Sequence, residues 1–294
     1  MSATVKSETR FPVSIIQLRR LMRLPLVPIL IIGVLIVAAA FAPLLTTRLP
    51  NDMSLPDRRT PPVWMEGGKS EYPLGADALG RDILTRIVYS ARTTAIVAGA
   101  ALLLAGAGGL ALGILAGYLG GTVDGLIMRV VDASMAFPTI LLALVLAVTL
   151  GPGIMTVVIA LVVVNWAGYT RVIRGEVLSV RNRDHVTSAV SIGCSQRRIM
   201  VVHILPMVFN TFMVVLSVNA GALILTEATL SFLGAGVPID TPTWGGMVAD
   251  GRRYIATAWW ISAFPGLAIT MVVLSVNLFG DWVRDRLDPR LRGL

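Results

Sequence analysis

The chain has 294 residues, of which 55% are hydrophobic and only 14% charged, with a formal net charge of +8. Soluble domains carry about 25% charged residues. A mean hydropathy of +0.77 and several long apolar runs therefore exclude a soluble globular protein and indicate a polytopic membrane protein. The basic excess calls for no nucleic acid, and a single cysteine, Cys194, excludes an intrachain disulfide.

From the N-terminus, Arg19, Arg20 and Arg23 precede the first apolar run, and "AAAFA" (38–42) has the small residues of a cleavage site. The run is longer than the roughly 7–15 apolar residues of a signal peptide core. It is expected to persist as a first transmembrane helix at 25–46, behind a cytoplasmic N-terminal segment at 1–24. About 20 helical residues cross the hydrocarbon layer, and five further segments qualify: 93–118, 128–150, 154–172, 199–226 and 259–280. The expected fold is thus an all-α membrane protein with six transmembrane helices.

Between the first two spans, 47–92 reads as an extracytoplasmic loop. Its end, "LGRDILTRIVYSART", places Ile83, Leu84, Ile87 and Val88 on one face, the pattern of a helix resting in the membrane interface. Within the second span Gly109, Gly113 and Gly117 follow at i, i+4, i+8, a stripe that lets helix backbones approach closely, expected within the bundle. "TLGPG" (149–153) separates spans three and four. Pro138 and Pro206 lie inside spans three and five, where a missing backbone donor kinks a helix. Arg129 and Asp132 at i, i+3 suit a local ion pair. The loop 232–258 is rich in Gly and Pro and has no clear period, which suits disorder or a docking surface; Trp244, Gly245 and Met247 are candidates for such contact.

Six spans put both termini on one side of the membrane. That side holds 16 Lys+Arg and 8 Asp+Glu, against 9 and 9 on the other, so the positive-inside rule assigns it to the cytoplasm.

Motifs for catalysis are lacking. There is no GxxxxGK[ST] loop, no GxSxG, and with only His185 and His203 neither HExxH nor a histidine-rich metal cluster can be assembled. Polar residues at membrane depth are costly and so mark function. Asn165, Asn219 and Glu227 are candidates for a polar translocation path, with bonding to a neighbouring helix as the alternative.

The segment "RDHVTSAVSIGCSQRRIMVVHILP" (183–206) interrupts the apolar sequence. Asp184 suits a helix N-cap. Val186, Ala189, Val190 and Gly193 follow on one face, Gly193 can end the helix in a left-handed conformation, and Ser195 can cap the next one. A two-turn helix is marginal alone and needs a partner surface, either the lipid interface or a cytoplasmic protein.

The segment resembles the EAA-type loop of ABC importer permeases, with "DHVTSAVSIG" and "HILP" in place and Thr187-Ser188-Ala189 where the motif has Glu-Ala-Ala. "PLGADALGRDILTRIVYSART" (73–94), "GYLGGTVDGLIMRVVDASMAFP" (117–138), "EATLSFLGAGVPIDTPTWGGM" (227–247) and "FPGLAI…NLFGDWVRDRLDPRL" (264–291) are similar to the dipeptide/oligopeptide/nickel permease group, and to its second (C-type) subunit in particular. The resemblance implies a type I ABC importer permease with its core at 93–280, a cytoplasmic coupling loop at 173–198 and a cytoplasmic tail at 281–294. It implies a second homologous permease subunit, two ABC ATPase subunits that bind ATP and Mg, an extracytoplasmic solute-binding protein, and no cofactor on this chain. Coupling to the ATPase would fall to Asp184, Val186, Thr187, Ser188, Ala189, Val190 and Gly193, with Pro206 setting the angle of span five. Dipeptides or oligopeptides are the implied cargo, with nickel chelates, glutathione and opines as alternatives. A self-sufficient secondary transporter or channel is the rival of another class.

Overall fold

Residues 25–238 and 240–287 of the computed structural model are described below. The expected N-terminal segment 1–24 and the end of the tail, 288–294, lie outside the described residues. Helices make up most of those residues, and their one β feature is an isolated bridge between Ala76 and Asp82.

Helix α1 (Leu26–Leu45) leads into a loop of turns. Helix α2 (Ile83–Leu119) starts where Asp82 accepts hydrogen bonds from the Thr85 N–H at 2.9 Å and the Thr85 hydroxyl at 2.6 Å, an N-cap that satisfies a free end group. The segment expected to lie as a separate interfacial helix is instead the first three turns of α2. Ile83, Thr85, Arg86 and Ser90 are all buried there, because the loop and a later helix cover them.

The third expected span is broken. Helix α3 (Gly121–Ala136) and helix α4 (Thr139–Leu150) meet at 90° across Phe137-Pro138. Proline has no N–H to continue the ladder and holds the preceding residue in an extended conformation, here φ −88° and ψ 141° at Phe137. Counted as one, the pair is the sixth crossing beside five long helices.

Helix α5 (Ile154–Val180) packs along most of α2. The glycine stripe is what allows it. A Cβ on Gly113 would fall 2.8 Å from Ile173 Cβ, and one on Gly117 would fall 2.7 Å from Val177 Cβ. Small residues therefore bring the two backbones together inside the bundle.

After a short helix α6 (Asp184–Ser191) comes α7 (Gln196–Phe232), whose second turn, Ile199–Ile204, is π-helical. The Leu205 N–H reaches back to the Met200 carbonyl, five residues away. The next residue is Pro206, whose ring crowds the preceding turn and has no N–H to give, so the wider turn relieves it. Helix α8 (Trp244–Gly251) and helix α9 (Trp260–Leu287) complete the chain. One apolar core, including Val97, Leu161, Leu223 and Val272, joins α2, α5, α7 and α9. A second, including Ile114, Ile173, Ile204 and Phe212, fills the end of the bundle nearer α6.

Candidate functional site: a docking helix and a polar cleft

Helix α6 is set across the end of the bundle. Its N-cap is Arg183, in extended conformation, so Asp184 is the first helical residue and not the cap expected from sequence; its charge still suits the N-terminal end of the helix dipole. Gly193 has φ +78°. The Cys194 N–H reaches the Ala189 carbonyl at 3.0 Å, the closing bond of a Schellman motif. The Ser195 hydroxyl accepts from the Arg198 N–H and starts α7.

The expected apolar stripe divides in two. Val186 and Ala189 are buried in the second core, against residues of α2, α5 and α7. They fasten α6 to the bundle and cannot offer a surface to another protein. Val190 faces out, and Ile192, which sequence reading passed over, is 80% exposed. With Asp184, Thr187, Ser188 and Gly193, also exposed, these residues form the outer face of α6.

The helix ends around α6 are tied by ion pairs. Arg174 binds Asp124, Arg181 Nη1 donates to the Gly117 carbonyl at 3.0 Å, and Arg171 binds Asp132 at 2.5 Å. Asp132 was expected to pair with Arg129 one turn away; its partner is on the neighbouring helix.

Asn165 and Asn219 come together. With Ser134, Thr139, Gly168 and Tyr169 they line a cleft of about 270 Å³ beside the Pro138 break. Each asparagine donates to the carbonyl one turn back in its own helix, Asn165 to Leu161 at 2.8 Å and Asn219 to Val215 at 2.7 Å. Neither asparagine bridges helices. Glu227 is not in this cleft. It is buried near the far end of α7, where the Ser231 hydroxyl donates to it at 2.9 Å and the Thr94 hydroxyl lies close by.

At the end of the bundle opposite α6, the "GADALGRD" loop is tied down by charge. Asp77 accepts from Arg81 Nε at 2.6 Å and Arg86 Nη1 at 2.5 Å, and from the backbone N–H groups of Leu79 and Arg81. Arg81 also reaches Asp250 on α8 at 3.3 Å. Within 232–258, the described residues include helix α8, which packs against the bundle. Trp244, Gly245 and Met247 are buried, and the Trp244 indole N–H donates to the Ile87 carbonyl at 3.0 Å. A Cβ on Gly245 would run into the Ala228 backbone. These three residues seat α8 on α2 and α7, so any protein contact at this end falls to their exposed neighbours.

Together these features make a bundle with a short helix fastened at one end, a charge-tied loop at the other and a polar cleft between. Comparison with known proteins agrees. Residues 109–293 match the family described as "Binding-protein-dependent transport system inner membrane component". The chain is 39% identical to the di/tripeptide transport system permease protein DppC of Pseudomonas aeruginosa, over 88% of this chain and 85% of that one. It is 38% identical to the dipeptide transport system permease protein DppC of Haemophilus influenzae, over 89% and 90%. It is 36% identical to the probable D,D-dipeptide transport system permease protein DdpC of Escherichia coli K12, over 90% and 86%. Among solved structures, an inward-facing MetNI methionine ABC transporter chain superposes with TM-score 0.56 at 16% identity, covering 69% of this chain and 96% of that chain, a likeness of fold. The chain is a multi-pass inner-membrane protein and belongs to the family of binding-protein-dependent transport system inner membrane components.

Proposed function

We propose that this chain is one of two permease subunits of an ATP-driven importer of dipeptides and other short peptides. The relatives named above are permeases of dipeptide or di/tripeptide systems, and they match nearly the whole chain. The α6 end faces the cytoplasm, as the charge asymmetry favours, and the α8 end faces the solute-binding protein. ATP and Mg are held by two separate ATPase subunits.

One observation carries the coupling role: α6 is pinned to the bundle by Val186 and Ala189 while its other face, with Ile192, is open. A helix held this way transmits force from a partner to α5 and α7. Coupling requires contacts that differ between two states of the assembly, and Thr187, Ser188, Val190, Ile192 and Gly193 supply them. Pro206 and the π turn set the angle at which α7 leaves the docking site.

The test uses the importer purified with its partner subunits. Ile192→Glu and Gly193→Asp are each expected to cut binding-protein-stimulated ATP hydrolysis at least tenfold while leaving assembly and membrane insertion intact. Undiminished stimulation in both variants overturns the coupling assignment. Concentrative uptake by this chain alone would favour a secondary transporter.

A further inference from the structure

We propose that Arg59, Arg252 and Arg253 form a docking surface for an acidic face of the solute-binding protein. The proposal rests on the importer reading above and names the charge by which that partner is recognised. All three arginines are exposed at the α8 end. Two segments far apart in sequence bring them together. The Arg59 N–H donates to the Asp77 carbonyl at 2.8 Å, and its guanidinium lies 5.7 Å from the centre of the Tyr254 ring. Arg252 and Arg253 line a hollow of about 370 Å³ with Asp77, Arg81, Asp250 and Tyr254.

The carboxylates of the hollow are already engaged, since Arg81 and Arg86 hold both Asp77 and Asp250. Arg59, Arg252 and Arg253 pair with no carboxylate among the described residues. Aromatic faces steady two of them instead: Arg252 lies 5.7 Å from the Phe232 ring centre, as Arg59 does from that of Tyr254. Such stacking orients a guanidinium and leaves its N–H fork open to a carboxylate. The side of the membrane opposite α6 has 9 Lys+Arg and 9 Asp+Glu, so the local surplus comes from placement and not from composition.

The backbone at Arg59 points the same way. Its φ is +57°, and it is the one non-glycine in the left-handed region among the described residues. Glycine suits that conformation, whereas an arginine there is strained. Strain of this kind gathers at functional sites, and here what the position gains is a side chain. Ile255, next to Tyr254, is 65% exposed and adds an apolar contact. Arginine among aromatic and apolar neighbours is the make-up of interface anchors. The three arginines stand in loops beyond the ends of α2 and α9, at the opposite end from the ATPase subunits. The family of this chain is described by its dependence on a binding protein, and a soluble protein with surface carboxylates complements the patch.

The test titrates the assembled importer, in nanodiscs, with the solute-loaded binding protein that stimulates it, and reads ATP hydrolysis. The double variant Arg252→Glu/Arg253→Glu is expected to raise the half-saturating concentration of binding protein about tenfold at low salt. Its dependence on ionic strength should be flatter than in wild type. Arg59→Gly removes one charge and relaxes the backbone, so the loop keeps its course. It is expected to raise half-saturation about threefold, the scale of one exposed ion pair. Half-saturation unchanged in both variants, or shifted equally at low and high salt, overturns the proposal. So does a shift seen with phosphatidylglycerol and lost with phosphatidylcholine, which assigns the arginines to lipid headgroups. A wild type that no binding protein stimulates overturns the importer reading itself, whereas the preceding outcomes overturn the docking surface alone.

Discussion

Arg174 on α5 grips Asp124 on α3 with two parallel hydrogen bonds, Nε to Oδ1 at 2.5 Å and Nη2 to Oδ2 at 2.6 Å. The fork matches the carboxylate edge to edge, the strongest geometry for such a pair. It fixes the start of the bent α3–α4 pair against the long helix that lines the cleft.

Arg174→Lys keeps the charge and loses the fork. Both side chains are partly solvated, so the expected loss is about 1 kcal/mol, near the top of the range for exposed pairs. A thermal unfolding scan of the detergent-purified complex would show a small downward shift. Asp124→Asn should shift it by a similar amount, and combining the two changes should cost less than their sum.

Asp77 is a different case, because nothing replaces it. It is 2% exposed and neutralises Arg81 and Arg86, which are themselves buried. Asp77→Ala leaves two guanidinium groups with only the half-exposed Asp250 to share, and is expected to cost about 3–5 kcal/mol. The same unfolding assay reads it, with Asp250→Asn as the milder comparison. Equal effects from the two substitutions would contradict the assignment of Asp77 as the centre of the network.

Two glycines in α2 give opposite expectations. Gly113→Val forces a side chain into Ile173 and should cost about 1–3 kcal/mol through overpacking. Gly108 meets nothing within 4 Å, so Gly108→Ala should be neutral or stabilising by about 0.5–1 kcal/mol. Expression level and melting temperature of the two variants provide the check.

Asp57 makes the outer loop sensitive to acid. The Lys69 ammonium, then the Ser54 hydroxyl, and less strongly Tyr72 hold its carboxyl down from 3.8 to about 2. A carboxylate with a lowered pKa contributes stability above its unfolded value and loses it as pH falls toward the folded one. The loop should therefore resist cleavage by pepsin at pH 4 and become susceptible as pH approaches 2. In Asp57→Asn that pH dependence should be absent, with cleavage within 54–72 at both pH values.

The elements that were legible in the sequence are those governed by local rules. The places of the long helices follow from apolar runs, although α2, α5 and α7 extend beyond them; the spacing of Gly109, Gly113 and Gly117 announces a close helix pair, and Gly193 and Ser195 mark one helix end and the next start. Pro138 signals a break, but a 90° turn depends on what the two halves pack against. The misreadings share one cause, that a sequence shows which residues form a stripe and not what covers it. Val186 and Ala189 face the bundle because Ile173, Ile199 and Ile204 are there to meet them. Asp132 bonds Arg171 across 39 positions of sequence, and Trp244 is drawn inward by a carbonyl on α2.

Helix α7 has 37 residues and at about 1.5 Å per residue is roughly 55 Å long. The short α6 leans on its first turns and α8 on its last ones, while Asn219 faces the cleft midway. The two faces of the membrane therefore share one beam, and a push at either tip is felt at the other. Its π turn, just before Pro206, lies beside the α6 tip, so a bend there would let the rest of the beam swing as a unit.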